Sequence, residues 1–421
     1  MAGRDEIETR QLRALQELLG NLSGSDNRFY CSRLRAAGLD GRVGSLEAFV
    51  NAMPFTTKDE LVRDRETSPP FGSNLTYSLG EYTRYSQSSG TRGRPLPSID
   101  TPESWSALLD CWDIVYDRAG VGANDVAYFA FSFGPFLGFW TAFDGAVRRG
   151  CLCIPGGGLS SVARLDSLRE QGVTVLCCTP TYAMRLGEVM QDETDAVPSD
   201  FALKTIIVAG EPGGSIRESR ERIRDLWGGV RVVDHHGMTE VGPVTVECED
   251  RPLSLSVIED AHLAEVVDRE TGQEVSPGET GELVLTTLKR LACPLLRYRT
   301  GDVVRKAYAE DGSLVLDGGI LGRVDDMVLV RGVNVYPTAV ERVMRRFPEV
   351  AEYRVIRTEV NSMAELKIEV EPVESLEESL ELAARIERAL QDTFALRIPV
   401  EAVAPGVLPR FEFKSKRWIK E

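Results

Sequence analysis

A chain of 421 residues is too long for one ordinary domain, so two or three are expected. Its 43% hydrophobic and 27% charged content is that of a globular protein with a large core. A net charge of −16 argues against a general nucleic-acid or anionic-membrane partner, while leaving room for a local basic pocket.

In chain order, residues 10–19 read as an amphipathic helix, with Gly20 and Asn21 as its stop. Pro54 marks a turn, and Thr57 followed by Glu60 has the spacing of a capping box at a helix start. The stretch 85–95, YSQSSGTRGRP, packs small residues, hydroxyls and two arginines into a loop. Small residues allow close backbone approach to a ligand, and hydroxyl and N–H groups donate to phosphate oxygens. Residues 101–119 are helical by pattern, and 125–132 form a buried strand. A helix over 138–149, a strand over 151–155, a helix over 162–171 and a strand over 173–178 follow. The next elements are a strand over 205–209, a helix over 216–227 and a strand over 230–234. Short apolar strands alternating with helices imply a parallel sheet covered on both faces, and ligands of such sheets bind beyond the carboxyl ends of the strands. Segments 131–138, 156–158, 210–214 and 235–240 lie there.

From about residue 253 the strands alternate in and out between Gly-containing turns, which reads as an antiparallel β subdomain. After Gly322 a small α+β domain begins, with a helix over 338–347, a strand over 364–371 and a helix over 376–393. The connector is GRVDD, residues 322–326. The cysteines sit mostly in apolar runs such as GCLCIP and TVLCCTP, as buried reduced thiols do. With no CxxC pair and only three histidines, a structural zinc site is not expected. The charged N-terminus is not a signal peptide, and no apolar run is long enough to span a membrane, so a cytoplasmic protein is expected.

Taken singly, the loop, the turn Gly210-Glu211-Pro212, the RYRTGD segment and the basic cluster Lys414, Lys416, Arg417 and Lys420 each have a bland reading as a solvated turn or tail. Together, in order and spacing, PFTTKDEL, SSGTRGRP, VAGEP, HHGMTEVGP, GELVLTTL, PLLRYRTGD, GRVDDMVLVRGVNVYP and LPRFEFKSKRW resemble the phenylacetate–CoA ligase family of the adenylate-forming superfamily. The resemblance implies an α/β fold: residues 1–322 form a large N-terminal domain of doubly covered sheets plus a β subdomain, and residues 323–421 a small mobile α+β domain.

It further implies ATP-dependent activation of an aromatic carboxylic acid to an acyl-adenylate, then transfer to CoA, with ATP/AMP, Mg²⁺ and CoA as cofactors. Ser88, Ser89, Gly90, Thr91, Gly93 and Arg94 would hold the outer phosphates. Gly210, Glu211, Pro212, Asp234, His235, His236 and Gly237 would line the nucleotide site, Asp302 would take the ribose hydroxyls, and Arg323 would reach the ribose or phosphates. Thr239 would contact the α-phosphate and Glu240 would bind Mg²⁺. Lys414 would be the catalytic lysine and Asp325 the hinge. Phe131, Phe136, Gly210, His236 and Met238 would line the acyl pocket, with Trp140 placed in the core; the sequence leaves open whether ring substituents are read by Ser132, by His236 or by neither. Four positions depart from the family pattern: Arg92, Arg94, His236 in place of tyrosine, and Phe413 in place of glycine. Cys248 is present where some members suggest zinc, but Ser256 replaces the histidine, so no zinc is expected. A homodimer is implied. The alternatives are a ligase loading a carrier protein or another acceptor, an enzyme adenylylating a phenolic cofactor, and a catalytically weak ligand-binding homologue.

Overall fold

The structure, a computed structural model, describes residues 2–39, 42–88, 95–331, 333–360, 363–373, 379–411 and 414–420. It opens with α1 (Ala2–Leu22), α2 (Arg28–Ala36), α3 (Leu46–Ala52) and α4 (Lys58–Thr67). Gly20 and Asn21 do not stop α1, because Leu18, Leu19 and Leu22 are all fully buried and hold its last turn against α2 and α3. The capping box of α4 is present in full: Glu60 N donates to Thr57 Oγ1 at 3.3 Å and Thr57 N to Glu60 Oε2 at 2.7 Å.

A hairpin, β1 (Arg84–Gln87) and β2 (Pro97–Asp100), flanks the glycine-rich loop, whose residues 89–94 lie outside the described residues. The chain then winds through α5 (Pro102–Ala119), β3 (Val126–Phe129), α6 (Leu137–Arg149), β4 (Leu152–Pro155), α7 (Ser161–Glu170), β5 (Val175–Cys178) and α8 (Pro180–Glu193). It continues with β6 (Thr205–Val208), α9 (Arg217–Leu226) and β7 (Arg231–Asp234). The five strands form a wholly parallel sheet in the order β4-β3-β5-β6-β7. Successive strand residues point to opposite faces, so each strand serves two cores. Phe129, Cys177, Ile207 and Val233 pack with Trp112, Tyr116 and Ala142 of α5 and α6, while Tyr128, Leu176, Ile206 and Val232 pack with Leu165, Tyr182, Leu186 and Ile223 of α7, α8 and α9. The double covering read from the sequence is therefore present.

Two short strands, β8 (Gly237–Met238) and β9 (Gly242–Pro243), bracket the turn that holds Thr239 and Glu240. A six-stranded antiparallel sheet follows, built from β10 (Thr245–Glu247), β11 (Leu255–Val257), β12 (His262–Val267), β13 (Thr280–Thr287), β14 (Tyr298–Tyr308) and β15 (Leu314–Arg323), in the order β10-β11-β15-β14-β13-β12. After Arg323 come β16 (Val328–Val330), β17 (Val333–Val335), α10 (Pro337–Met344), β18 (Val350–Val360), β19 (Met363–Pro372), α11 (Ser379–Phe394), β20 (Val400–Ala402) and β21 (Trp418–Lys420). These elements bury their own cluster, from Val328 to Ile398, around the sheet β20-β19-β18-β21.

Candidate active site

The carboxyl ends of β6 and β7 bring the expected segments to one cleft. Asp234 ends β7 and is buried; its Oδ2 accepts from Ser215 Oγ at 2.6 Å. Its backbone N–H donates to Glu247 Oε2 at 3.1 Å, and Arg220 holds Glu247 with two bonds of 2.6 and 2.8 Å. Burial pushes the Asp234 pKa up to about 6, against the opposing Ser215 bond and the Arg220 charge. His236 points to the same side, and its Nε2 lies 3.1 Å from Asp302 Oδ2. His235 falls on the opposite side by strand alternation. The structure does not bring its ring to the cleft: it is buried against Trp112 at 4.6 Å between centroids, and burial lowers its pKa to about 4, so it is neutral at pH 7.

Asp302, on β14, is almost wholly buried. Its Oδ1 accepts from Arg323 Nη1 at 2.6 Å, and Arg323 Nη2 donates to Thr300 O at 3.0 Å. Burial disfavours its charge, but His236 and Arg323 outweigh that and hold its pKa below the ordinary carboxylate value. Gly301 makes room for this pairing: with φ of 78°, a Cβ there would stand 3.2 Å from Arg323 Nη2. The ring that replaces the usual tyrosine thus rests on the carboxylate expected to take the ribose.

Glu240 is buried at the turn between β8 and β9, and Lys58 Nζ of α4 donates to its Oε1 at 2.9 Å. The backbone carbonyls of Thr239 and Glu240 accept from Arg290 Nη1 at 3.0 and 2.9 Å. Arg290 is itself clamped by Asp100 at 2.7 and 2.6 Å, and both side chains are buried. Neither Lys58, Arg290 nor Asp100 was singled out by sequence. A cavity opens beside Thr239 and Glu240, lined also by Leu61, Asp64, Ser98 and Cys293. The buried Glu240 carboxylate suits Mg²⁺, a hard cation that takes one or two protein carboxylates and completes its shell with substrate phosphates. Ser88, the first loop residue described, closes the base of the loop: its Oγ accepts from Leu96 N at 3.0 Å. Ser89, Gly90, Thr91, Arg92, Gly93 and Arg94 lie outside the described residues, as does Phe413.

Lys414 reaches into this cleft from the C-terminal end. A Cβ on Gly210, whose φ is +91°, would stand 3.4 Å from Lys414 Cε. The lysine keeps water-accessible surface, yet the protein packed round its ammonium lowers its pKa; Glu211 opposes that fall and Arg323 adds to it. Glu211 also accepts from Ser415 N at 2.9 Å and from Thr181 N at 3.0 Å, while Pro212 is exposed at the cleft edge.

The aromatic segment after β3 forms a connected group. Phe131 stacks on Phe139 at 4.3 Å, and Phe136 meets the same ring edge-on at 5.5 Å. Phe139 was missed because it sits inside a helical pattern. Trp140 is not in the core, as the sequence suggested: it is 36% exposed, lies edge-on to Phe133 at 5.1 Å, and donates from Nε1 to Gly134 O. Ser132 is exposed, and Met238 is partly buried beside the antiparallel sheet.

Residues 87–288 match the AMP-binding enzyme family, and residues 332–421 match the AMP-binding enzyme C-terminal domain. The phenylacetate–coenzyme A ligase of Thermus thermophilus is 32% identical, over 98% of this chain and 97% of its own. The chain belongs to the phenylacetate–CoA ligase family. It is by that membership an AMP-forming acid–CoA ligase, working with ATP, Mg²⁺ and CoA. Among solved structures, 2-hydroxyisobutyryl-CoA ligase in the postadenylation state in complex with R3-HIB-AMP superposes with a TM-score of 0.92 at 27% identity, over 98% of this chain and 89% of that one. The same enzyme in complex with 2-HIB-AMP and CoA in the thioesterification state gives 0.73 at 27% identity, over 99% and 90%. Among the described residues of this ligase, no helix is long and apolar enough to cross a membrane.

Proposed function

We propose that this ligase activates an aromatic carboxylic acid of the phenylacetate type, and that Lys414 is its catalytic residue for adenylate formation. The observation that carries the reading is the approach of Lys414 to Gly210, at the carboxyl end of the parallel sheet, with Glu211 beside it. The acid's carboxylate oxygen attacks the α-phosphorus of ATP, the P–O bond to the β-phosphate breaks, and pyrophosphate leaves. The Lys414 ammonium and the Thr239 hydroxyl stabilise the charge that develops on the α-phosphate. Glu240 would hold Mg²⁺, which neutralises phosphate charge when bound. Asp302 binds the ribose, with Arg323 and His236 orienting it. The stacked pair Phe131 and Phe139, with Phe136, offers a flat apolar wall for an aryl ring.

The boundary between residues 322 and 323, with its hinge at Asp325, belongs to the same reading. The better fit to the postadenylation than to the thioesterification structure supports a small domain that stands here in the adenylation arrangement and turns before the CoA thiol attacks the acyl carbonyl and AMP departs. CoA is taken as the acceptor, and the enzyme as a cytoplasmic homodimer, which light scattering after gel filtration tests.

The decisive experiment is ATP–pyrophosphate exchange over a panel of aryl and small aliphatic acids, with CoA omitted and then added. Exchange with aryl acids, and thioester only with CoA, is the expected result; exchange confined to aliphatic acids removes the aryl assignment. Lys414→Ala should lower exchange by about 10²–10³-fold, the usual cost of deleting a group that stabilises transition-state charge. Unchanged exchange removes the lysine from the first step.

A further inference from the structure

We propose that Glu211 is a latch for the small domain: its carboxylate holds the segment that carries Lys414 in the adenylation arrangement, making it a positioning residue for the first half-reaction and not the second. The inference rests on the assignment of Lys414 above. Glu211 follows β6, and its two oxygens face two different parts of the chain. Oε1 accepts from Thr181 N, in the first turn of α8, at 3.0 Å. Oε2 accepts from Ser415 N at 2.9 Å and from Ser415 Oγ at 3.2 Å. Ser415 is the neighbour of Lys414 and lies 204 residues from Glu211 in sequence.

The surroundings give this contact unusual weight. Beside it, α8 and the C-terminal segments face each other across a small hollow, lined by Met184, Arg185 and Glu188 on one side and Arg345, Phe411 and Arg417 on the other. Charged side chains dominate that boundary, with Glu352 and Arg410 also in the lining. The nearby ion pair Arg346–Glu218, at 3.6 Å, is between solvent-accessible side chains and contributes little. Hydrogen bonds to a charged acceptor are the strong kind, and a strong bond across the boundary biases the equilibrium between two arrangements. The bond to Thr181 lies within the large domain and survives a turn of the small domain; the bonds to Ser415 do not. Glu211 also opposes the fall in the Lys414 pKa that desolvation produces.

The test separates the half-reactions in the full-length protein. Glu211→Gln is nearly isosteric, but its one carbonyl can face either Thr181 N or the two Ser415 donors, not both. It is expected to slow ATP–pyrophosphate exchange with phenylacetate by about tenfold, and to change CoA-dependent consumption of presynthesised phenylacetyl-adenylate by less than about twofold. Hydrogen exchange, which needs no substrate, should show protection lost in residues 414–420 and retained in 180–193. Equal slowing of both half-reactions, or wild-type protection at 414–420, overturns the latch. Ser415→Ala removes only the 3.2 Å bond and, should the Gln variant fold poorly, is expected to slow exchange about two- to threefold with the same selectivity. Lys414→Ala is run alongside. If that variant keeps full exchange, the Lys414 assignment fails; if it loses exchange while Glu211→Gln does not, the latch alone fails.

Discussion

At the scale of single residues, the site depends on where the backbone leaves space. Gly210 has a φ of +91°, and its absent Cβ leaves room for the Lys414 side chain. Gly210→Ala forces a side chain into a left-handed conformation and into contact with Lys414 Cε. The expected cost is about 1–2 kcal/mol of stability, with pyrophosphate exchange slowed by about tenfold. Thermal denaturation and exchange assays check the two effects, and a variant with unchanged exchange would show that Lys414 does not need that space. His236 shows how a motif can keep its place while its chemistry changes. The sequence assigns the position to the nucleotide site, and the structure puts an imidazole 3.1 Å from the Asp302 carboxylate. That pairing could not be read from the motif, because His236 follows the parallel sheet while Asp302 lies on the antiparallel one, and they meet only in the fold.

At the scale of elements, the parallel sheet was legible because its strands are short and apolar and alternate with helices. Helix α8 was not anticipated. Its signals are nonetheless present: Thr179 and Pro180 are an N-cap and a first-turn proline, Tyr182, Met184, Leu186, Val189 and Met190 are buried, and Arg185, Glu188 and Gln191 recur at helical spacing on the other face. The support beneath Thr239 and Glu240 was hidden, since Asp100 and Arg290 are separated by 190 residues. This pair fixes the turn between β8 and β9 by holding its carbonyls from below. Arg290→Met leaves the buried Asp100 carboxylate uncompensated and is expected to cost about 3–5 kcal/mol. The double variant Asp100→Asn, Arg290→Met should recover most of that stability but not the nucleotide affinity, because the Thr239–Glu240 carbonyls remain unheld. Thermal denaturation with ATP-binding calorimetry separates the two, and full affinity in the stable double variant would refute the supporting role.

At the scale of the whole molecule, the strand that follows Lys414 is anchored by charge. β21 begins at Trp418, and the preceding Arg417 is buried; it pairs with Glu352 at 2.6 and 3.0 Å and with Glu341 at 3.4 Å. Glu341 also accepts from Arg345 at 2.7 Å and from the Tyr353 hydroxyl. Burial raises the pKa of Glu341, but Arg345 and Arg417 overcome it and hold the group at about 2, against an ordinary 4.5. A depressed carboxylate pKa contributes stability that is complete above the unfolded value and is lost as pH falls toward the folded one. The window for Glu341 therefore runs from about pH 4.5 down to about 2. Its worth at neutral pH is about 3 kcal/mol, and less than half of that remains at pH 3. Glu341→Gln should destabilise the small domain by about that amount at pH 7, with the gap to wild type narrowing steadily below pH 4.5. Hydrogen exchange of residues 337–372 and 414–420, compared with the parallel sheet, reads the effect locally; a gap independent of pH would show that the ion pairs do not carry it. Because the same cluster fixes the strand after Lys414, acid should loosen the catalytic segment while the large domain is still folded. Adenylation is then expected to fail at a higher pH than the unfolding of the parallel sheet.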